Sequence, residues 1–371
     1  MPRKPTEGRG RGPADNKKVA TGEGTMFGRR RLGKVATIGA AAVAAPAVAV
    51  SSVAWAQTAH KWKIQSLWQA GSINQKVFED FAKRVKEASG GRIDVEPLPA
   101  GQIVAYSETL DAITNGILDG HHSGGPYFSG KEPALALLGD LNGGFENPYQ
   151  MQMWFEYGGG LELARDVYKR FNIYYVGPVW WGVESIPAKK PLRTIADFKG
   201  VKMRVPEGLG AEIWRRAGVG VVTLPGSEVY TALDRGVIEA TDWGTLGMNN
   251  DLGYHKIAKY PLYPGFHSMP AAEVAINMDK WNALSPDLKV LFEIAVRDFA
   301  RDMVQRVAME DLKVMEGAKA AGVEPIDIGP AERRKFRDLS QQAWADWAKK
   351  SPAAQKVYDS QMAYLKKIGL L

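Results

Sequence analysis

Arg204 is the residue whose setting most suggests chemistry. It stands in an otherwise apolar strand pattern with Val201, Met203 and Val205, next to Pro206. A strand end that presents one guanidinium suits the grip of a carboxylate through two parallel hydrogen bonds. The plainer alternative is an arginine that reaches from a strand end to a surface acid. Asp242-Trp243 sets a carboxylate beside an aromatic ring, a pairing that can hold a cation or a ligand hydroxyl; the alternative is an Asp that caps the next helix. Glu184, after Trp180, Trp181 and Gly182, offers a second oxygen ligand on the opposite wall. Two carboxylates with backbone carbonyls suit Na⁺ or Ca²⁺ rather than a transition metal. Trp68 and Gln69 follow the first strand pattern, where α/β folds meet ligands, although Trp68 reads equally well as core. His267, in a Tyr/Pro-rich segment, completes the candidates on this side. There are five His and none has the HExxH spacing of a zinc site. A nucleophile elbow and a P-loop are both absent, and Gly208-Leu209-Gly210 lacks the third glycine of a dinucleotide fingerprint.

The elements that must position these residues are marked by a phrase that occurs twice. Glu108–Gly120 reads ETLDAITNGILDG and Glu228–Ala240 reads EVYTALDRGVIEA, with Glu, Ala and Gly identical at 108/228, 112/232 and 116/236. Each copy reads as a short helix, a glycine for the left-handed residue past its end, and apolar residues that open a strand. The copies lie 120 residues apart, beyond the roughly 20 to 50 of a solenoid repeat, and suit two similar α/β lobes. Each runs into a loop, His121–Gly125 and Thr241–Gly244, so two such lobes face to face make a cleft.

Around the phrase the pattern predicts strands at Trp62–Leu67, Ile93–Leu98, Ile173–Val176, Val201–Val205, Val221–Leu224 and Glu273–Met278. It predicts a helix capped by Ser72, a helical stretch Pro148–Phe171 broken at Gly158–Gly160, a helix over Leu209–Ala217, and a cap at Pro225-Gly226-Ser227 before the second copy. Tyr254–Pro270 reads as ordered loop. Ser285-Pro286 opens a helix to about Ala321, long enough to span both lobes, and Gly329-Pro330 and Ser351-Pro352 open two more. The expected division is residues 57–182 with about 270–310 in lobe I, and 183–269 with about 311–371, including the C-terminal helices, in lobe II.

Residues 1–56 read as an export leader. Arg29-Arg30-Arg31 precedes an Ala/Val-rich run, Val35–Val53, and Ala54-Trp55-Ala56 offers a small-x-small cleavage pattern before Gln57. Arg29–Lys34 is similar to a twin-arginine signal. The leader's ten Lys and Arg against three Asp and Glu carry the whole formal charge of +7, leaving 38 residues of each sign in the remainder. Nucleic-acid binding is unsupported. The absence of Cys removes disulfides, thiolate metal sites, iron–sulfur clusters and cysteine nucleophiles.

With Lys202–Pro206, the following helix, the Tyr230–Ala240 run and Asp242-Trp243 in view, the chain resembles the solute-binding proteins of TRAP (tripartite ATP-independent periplasmic) transporters. Over residues 60–371 it is similar to the dicarboxylate-binding type and, within it, to the α-keto-acid and mannitol/chloroaromatic branch. The resemblance implies an α/β, two-lobed periplasmic solute-binding fold with crossing strands and a long spanning helix. It puts the carboxylate-gripping arginine on Arg204, a metal-holding acid–Trp pair on Asp242 and Trp243, and Tyr127 in the cleft loop of the first lobe. The branch often has Glu where this chain has Asp242. Its Gln metal ligand in the lobe crossing has no counterpart in Trp180–Ser185, where Glu184 is the nearest acid. The implied function is capture of an organic acid anion, a 2-oxo, 2-hydroxy or aromatic carboxylate, without catalysis or a required cofactor. A Na⁺ or Ca²⁺ ion could bridge to the substrate, Trp68, Trp180, Trp181 and Trp243 would tolerate an aromatic acid, and delivery is to a large and a small membrane subunit. Homodimerisation through swapped C-terminal helices is also implied. An exported enzyme with Asp242 and Glu184 as acid–base pair, or a ligand-sensing protein without a transporter, are the other readings.

Overall fold

A computed structural model describes residues 59–371; the basic run, the Ala/Val-rich stretch and the cleavage pattern lie outside the described residues. The chain opens with β1 (His60–Ser66), α1 (Ile73–Ala88), β2 (Ile93–Leu98), α2 (Thr109–Thr114) and β3 (Gly120–Gly124). Ser72 caps α1 by accepting from the Gln75 N–H at 3.3 Å. Helices α3 (Ala134–Gly139), α4 (Pro148–Tyr157) and α5 (Gly160–Tyr168) follow, the last two separated at the expected glycines, then β4 (Ile173–Trp180). A second unit comprises β5 (Lys202–Arg204), α6 (Leu209–Arg216), β6 (Gly220–Val222), α7 (Val229–Asp234), β7 (Ala240–Thr241) and α8 (Leu246–Asp251). The chain ends with β8 (Ala271–Asn277), α9 (Met278–Asn282), α10 (Pro286–Gly317), α11 (Gly329–Ala348) and α12 (Pro352–Lys367).

Two sheets result. One has the order β2-β1-β3-β8-β4 and the other β6-β5-β7. In each, the first strand of a β-α-β-α-β run lies between the other two strands of that run and is parallel to both. The repeated phrase is the last α-β step of each run, and its copies share their bonding as well as their letters. Gly116 and Gly236 have φ of +71° and +73°. The next N–H reaches back to the carbonyl of Ala112 at 2.8 Å and of Ala232 at 2.9 Å, which closes each helix. The acid at the end of each copy then clamps the central strand. Asp119 accepts from the Lys63 N–H at 2.9 Å and Glu239 from the Lys202 N–H at 3.0 Å. The cap expected at Pro225–Ser227 is instead a 3₁₀ turn, Gly226–Glu228, with no side-chain cap bond. Gly226 serves another end: a Cβ there would lie 1.9 Å from the Trp243 ring, so the glycine is the flat seat on which that ring rests.

Two segments cross between the sheets. The chain leaves the first sheet after Trp180, and Ser185 and Ala188 bridge to Gly244 and Ala240 beside the second. It returns past Leu262, which bridges to Ile186, and re-enters the first sheet as β8, antiparallel to β3 and β4. Helix α10 packs against α1 and β4 of the first lobe and against α8 of the second, so it spans both as its length requires. The C-terminal helices are divided. α11 lies on α6, whereas α12 packs on α3 and α5 of the first lobe, with Gln361 Nε2 donating to the Leu137 carbonyl at 2.7 Å. The spacing of Ala353, Val357, Gln361 and Leu365 marks which face of α12 is buried, but not the lobe that covers it. No helix among the described residues is long and apolar enough to cross a membrane.

Nothing lies within 4 Å of a Cβ added at Gly236, so only its backbone conformation resists a side chain. Gly236→Ala should therefore cost about 1 kcal/mol, read as a lower urea midpoint with an unchanged slope. An unchanged midpoint would remove the conformational role of this glycine.

Candidate functional site

Arg204 ends β5 and is 1% exposed. Its Nε donates to the Leu224 carbonyl at 3.2 Å and its Nη1 to the Asp242 carbonyl at 2.6 Å. Its guanidinium carbon lies 4.9 Å from the centroid of the Trp243 ring. Among the described residues no carboxylate comes within ion-pair distance of it. An isolated buried charge costs several kcal/mol, so this guanidinium, fixed on two carbonyls and an indole, is set up to receive an anion. In the first lobe Gln65 plays the matching part, with Nε2 donating to the Val104 carbonyl at 2.8 Å; the second lobe has a charge where the first has an amide.

Arg204 opens onto a cavity of about 520 Å³, part of it continuous with solvent, whose walls come from both lobes. Tyr127, Asp140 and Asn142 face it from the first lobe, Arg204, Leu209, Asp242 and Trp243 from the second, and Trp181, Glu184 and Ser268 from the crossings. It carries four acids, Asp140, Glu184, Glu207 and Asp242, and a single arginine. Their protonation is divided. Burial, and then the charge of Asp242, hold the Glu184 carboxyl well above the usual carboxylate range. Burial also pushes Asp242 upward, but the His267 imidazole, a hydrogen bond from Glu184 and the Arg204 charge outweigh it and bring the group below its ordinary value. We therefore take Asp242 as the ionised member of the pair and Glu184 as the protonated one. Trp181 Nε1 donates to Glu184 Oε1 at 3.1 Å and orients it. Burial pushes Asp140 to about 8, against hydrogen bonds donated by Ser268 and Asn142, both at 2.6 Å. Tyr127 is raised by burial, with the field of Arg204 opposing.

One atom each of Glu184, Asp242 and His267 lies within 4.8 Å of the others, all buried. His267 Nε2 is 3.5 Å from Asp242 and 3.8 Å from Glu184. The two carboxylates are oxygen donors of the kind that hard cations take, and His267 offers a ring nitrogen beside them.

The candidates divide accordingly. Arg204, Asp242, Trp243, Glu184 and Tyr127 share one cavity and His267 backs its acids. Trp68 is core, edge-on to Trp181 at 4.9 Å between ring centroids. Gln69 is half-buried in the turn before α1, away from the cavity. Trp180 faces a different cavity, with Phe155 and Val296. Trp181, which follows it, lines the site: β4 extends four residues beyond the expected Val176, and alternation across a strand sends neighbouring rings to opposite sides. Asp140, Asn142 and Ser268 carry no motif; the only trace is that Asp140 and Asn142 interrupt the apolar run that begins at Ala134. Behind the second lobe's loop, Asp311 of α10 accepts from the Gly247 N–H at 2.6 Å, and burial pushes it to about 6.

Two α/β lobes joined by crossing segments around one anion-receptive cavity define a ligand-binding protein that works by closure. Residues 64–351 match the family model of bacterial extracellular solute-binding protein, family 7, DctP. The chain is 30% identical over 336 residues to a monocarboxylate 2-oxoacid-binding periplasmic protein of Nostoc sp., covering 90% of this chain and 92% of that one. A TRAP periplasmic solute-binding protein of Rhodobacter sphaeroides, solved in an apo open form, is 41% identical with a TM-score of 0.71, covering 84% and 99%. A TRAP transporter solute-binding protein of Bordetella bronchiseptica, a mixed-occupancy dimer with copurified calcium and picolinate in one active site and the other apo, is 26% identical with a TM-score of 0.77, covering 84% and 93%. The chain belongs to the DctP family of TRAP solute-binding proteins. It is a periplasmic transport component and not an enzyme, which sets aside the reading of Asp242 and Glu184 as an acid–base pair.

Asp140 titrates higher in the folded chain than in the unfolded one, so the folded state holds the extra proton. Its contribution is complete below the ordinary value of 3.8 and is lost as pH rises through about 8. Asp140→Asn should remove this loss. Unfolding titrations should show the variant gaining on the parent, by on the order of a few kcal/mol, between acidic pH and pH 8. A difference independent of pH would mean that Asp140 is ionised in the fold.

Proposed function

We propose that this protein captures a monocarboxylate, a 2-oxo, 2-hydroxy or aromatic acid, between its lobes and presents it to a large and a small membrane subunit. The observation that carries this reading is Arg204, a buried guanidinium anchored on two carbonyls and lacking an acid partner among the described residues. A bound carboxylate supplies the missing charge through the guanidinium's remaining N–H groups. The cavity favours one carboxylate per ligand, because a second would meet the ionised Asp242. The indole rings of Trp181 and Trp243 and the Tyr127 phenol exclude water and give apolar area to an aromatic or short aliphatic body. Contacts to both lobes then favour the closed form over the open one.

Asp242, Glu184 and the Trp243 carbonyl would hold a Na⁺ or Ca²⁺ ion. Such an ion neutralises the carboxylates and offers a Lewis-acidic contact to a ligand oxygen. Proton release from Glu184 would accompany its binding. The leader, cleaved near Ala56 and Gln57, exports the chain.

Screening carboxylates by thermal shift and titrating the best by calorimetry tests this. Arg204→Ala should weaken binding at least 100-fold with the fold intact, and Arg204→Lys should recover only part, since an ammonium lacks the planar fork. Affinity within a few-fold of the parent in Arg204→Ala would overturn the assignment. Exchanging sodium for choline and adding a calcium chelator should weaken binding tenfold or more. Unchanged affinity under those conditions would remove the bridging ion while leaving Arg204 in place.

A further inference from the structure

The first lobe buries an acid outside the ligand cavity, Glu273, which the proposed function does not use. Glu273 of β8 is 1% exposed, and no Lys or Arg pairs with it among the described residues. Its Oε1 accepts from the Tyr168 hydroxyl of α5 at 2.6 Å and lies 3.2 Å from His121 Nε2 of β3. Its Oε2 accepts from the Gly125 N–H at 3.1 Å. The other ring nitrogen of His121 is 3.0 Å from the Thr109 hydroxyl, at the start of the helix in the first copy of the repeat. The His121 ring stacks on Phe128, with centroids 5.5 Å apart and planes 9° from parallel.

One carboxylate thus ties three elements, β3, β8 and α5, to a single backbone amide. That amide opens the turn Gly125–Phe128, which carries Tyr127 into the cleft. Tyr127 lies within the fields of Arg204, Glu184 and Asp242, across the cavity from its own lobe. A residue that must meet the opposite lobe at closure needs a fixed base. A hydrogen bond from an amide to an ionised acceptor is stronger and more directional than one to a neutral acceptor. Burying that acceptor is tolerable only when donors surround it, and here the phenol and the amide donate to it, with the His121 ring 3.2 Å away.

We propose that Glu273 is a positioning residue for ligand capture: it holds the Gly125–Tyr127 loop so that Tyr127 closes over the ligand gripped by Arg204. This rests on the cavity being the ligand site, and the experiment separates the two claims. Hydrogen exchange on the ligand-free protein comes first. Glu273→Gln keeps the size and one acceptor but loses the charge. It should speed exchange in peptides covering Ser123–Ser129 tenfold or more while exchange in α10 stays unchanged. Tyr168→Phe removes one donor to the same carboxylate and should do likewise to a smaller degree. Unaltered loop exchange in both variants would overturn the proposal, whatever the protein binds. So would equal acceleration in the loop and in α10, because that is general destabilisation.

The second readout is a double-mutant cycle on affinity, with pyruvate in calcium buffer as the probe. Glu273→Gln should weaken binding about tenfold in the parent, chiefly by faster dissociation, and by less than twofold in a Tyr127→Ala background. Equal effects in both backgrounds would refute the route through Tyr127. A parent chain that ignores pyruvate and every other carboxylate would count against the proposed function and leave the exchange result to decide on Glu273.

Discussion

A single buried guanidinium organises this molecule. Arg204 has left water without meeting an acid, and a charge in that state is tolerated only when its surroundings supply dipoles or an incoming anion. The fold supplies the dipoles: the Leu224 and Asp242 carbonyls take two of its N–H groups and the Trp243 ring lies alongside. The remaining donors are left for a ligand. Much of the second lobe serves this arrangement. β5 is central so that its last residue reaches the cleft, Gly226 in the 3₁₀ turn before α7 leaves room to seat Trp243, and the Asp242 carbonyl is aimed at the end of β5.

The acids that share the cavity with Arg204 shape its polarity. Asp140, Glu184 and Asp242 are buried in a common space, and burial raises two of them, Glu184 and Asp140, above the usual carboxylate range. Buried acids recur behind the cleft loops. Glu273 takes the Gly125 N–H in the first lobe and Asp311 takes the Gly247 N–H in the second, each from an element linked to the lobe crossing, β8 directly after it and α10 spanning both sides.

Much of this was legible in the residues. The repeated phrase marked two lobes because it encodes a backbone device, a helix closed on a left-handed glycine, and that device is local. Arg204 stood out as a charge in an apolar strand, and Asp242 and Trp243 followed the second copy directly. The shortfalls have one cause: they depend on which surfaces meet across long stretches of sequence. Asp140 and Ser268 join the site because two segments 128 residues apart pack side by side. Trp180 leaves the site while Trp181 stays in it, because β4 continues beyond its apolar core to Trp180. α12 displays a clear buried face, but only the packed structure shows that α3 and α5 cover it.

The central claim is that a carboxylate completes Arg204. Native mass spectrometry of the protein mixed with matched pairs, each an organic acid and its neutral carboxamide, tests it most directly. The expected result is a one-to-one adduct with the acid and none with the amide, together with loss of the acid adduct in Arg204→Ala. Amides that bind as well as their acids, or an acid adduct that survives in Arg204→Ala, would contradict it.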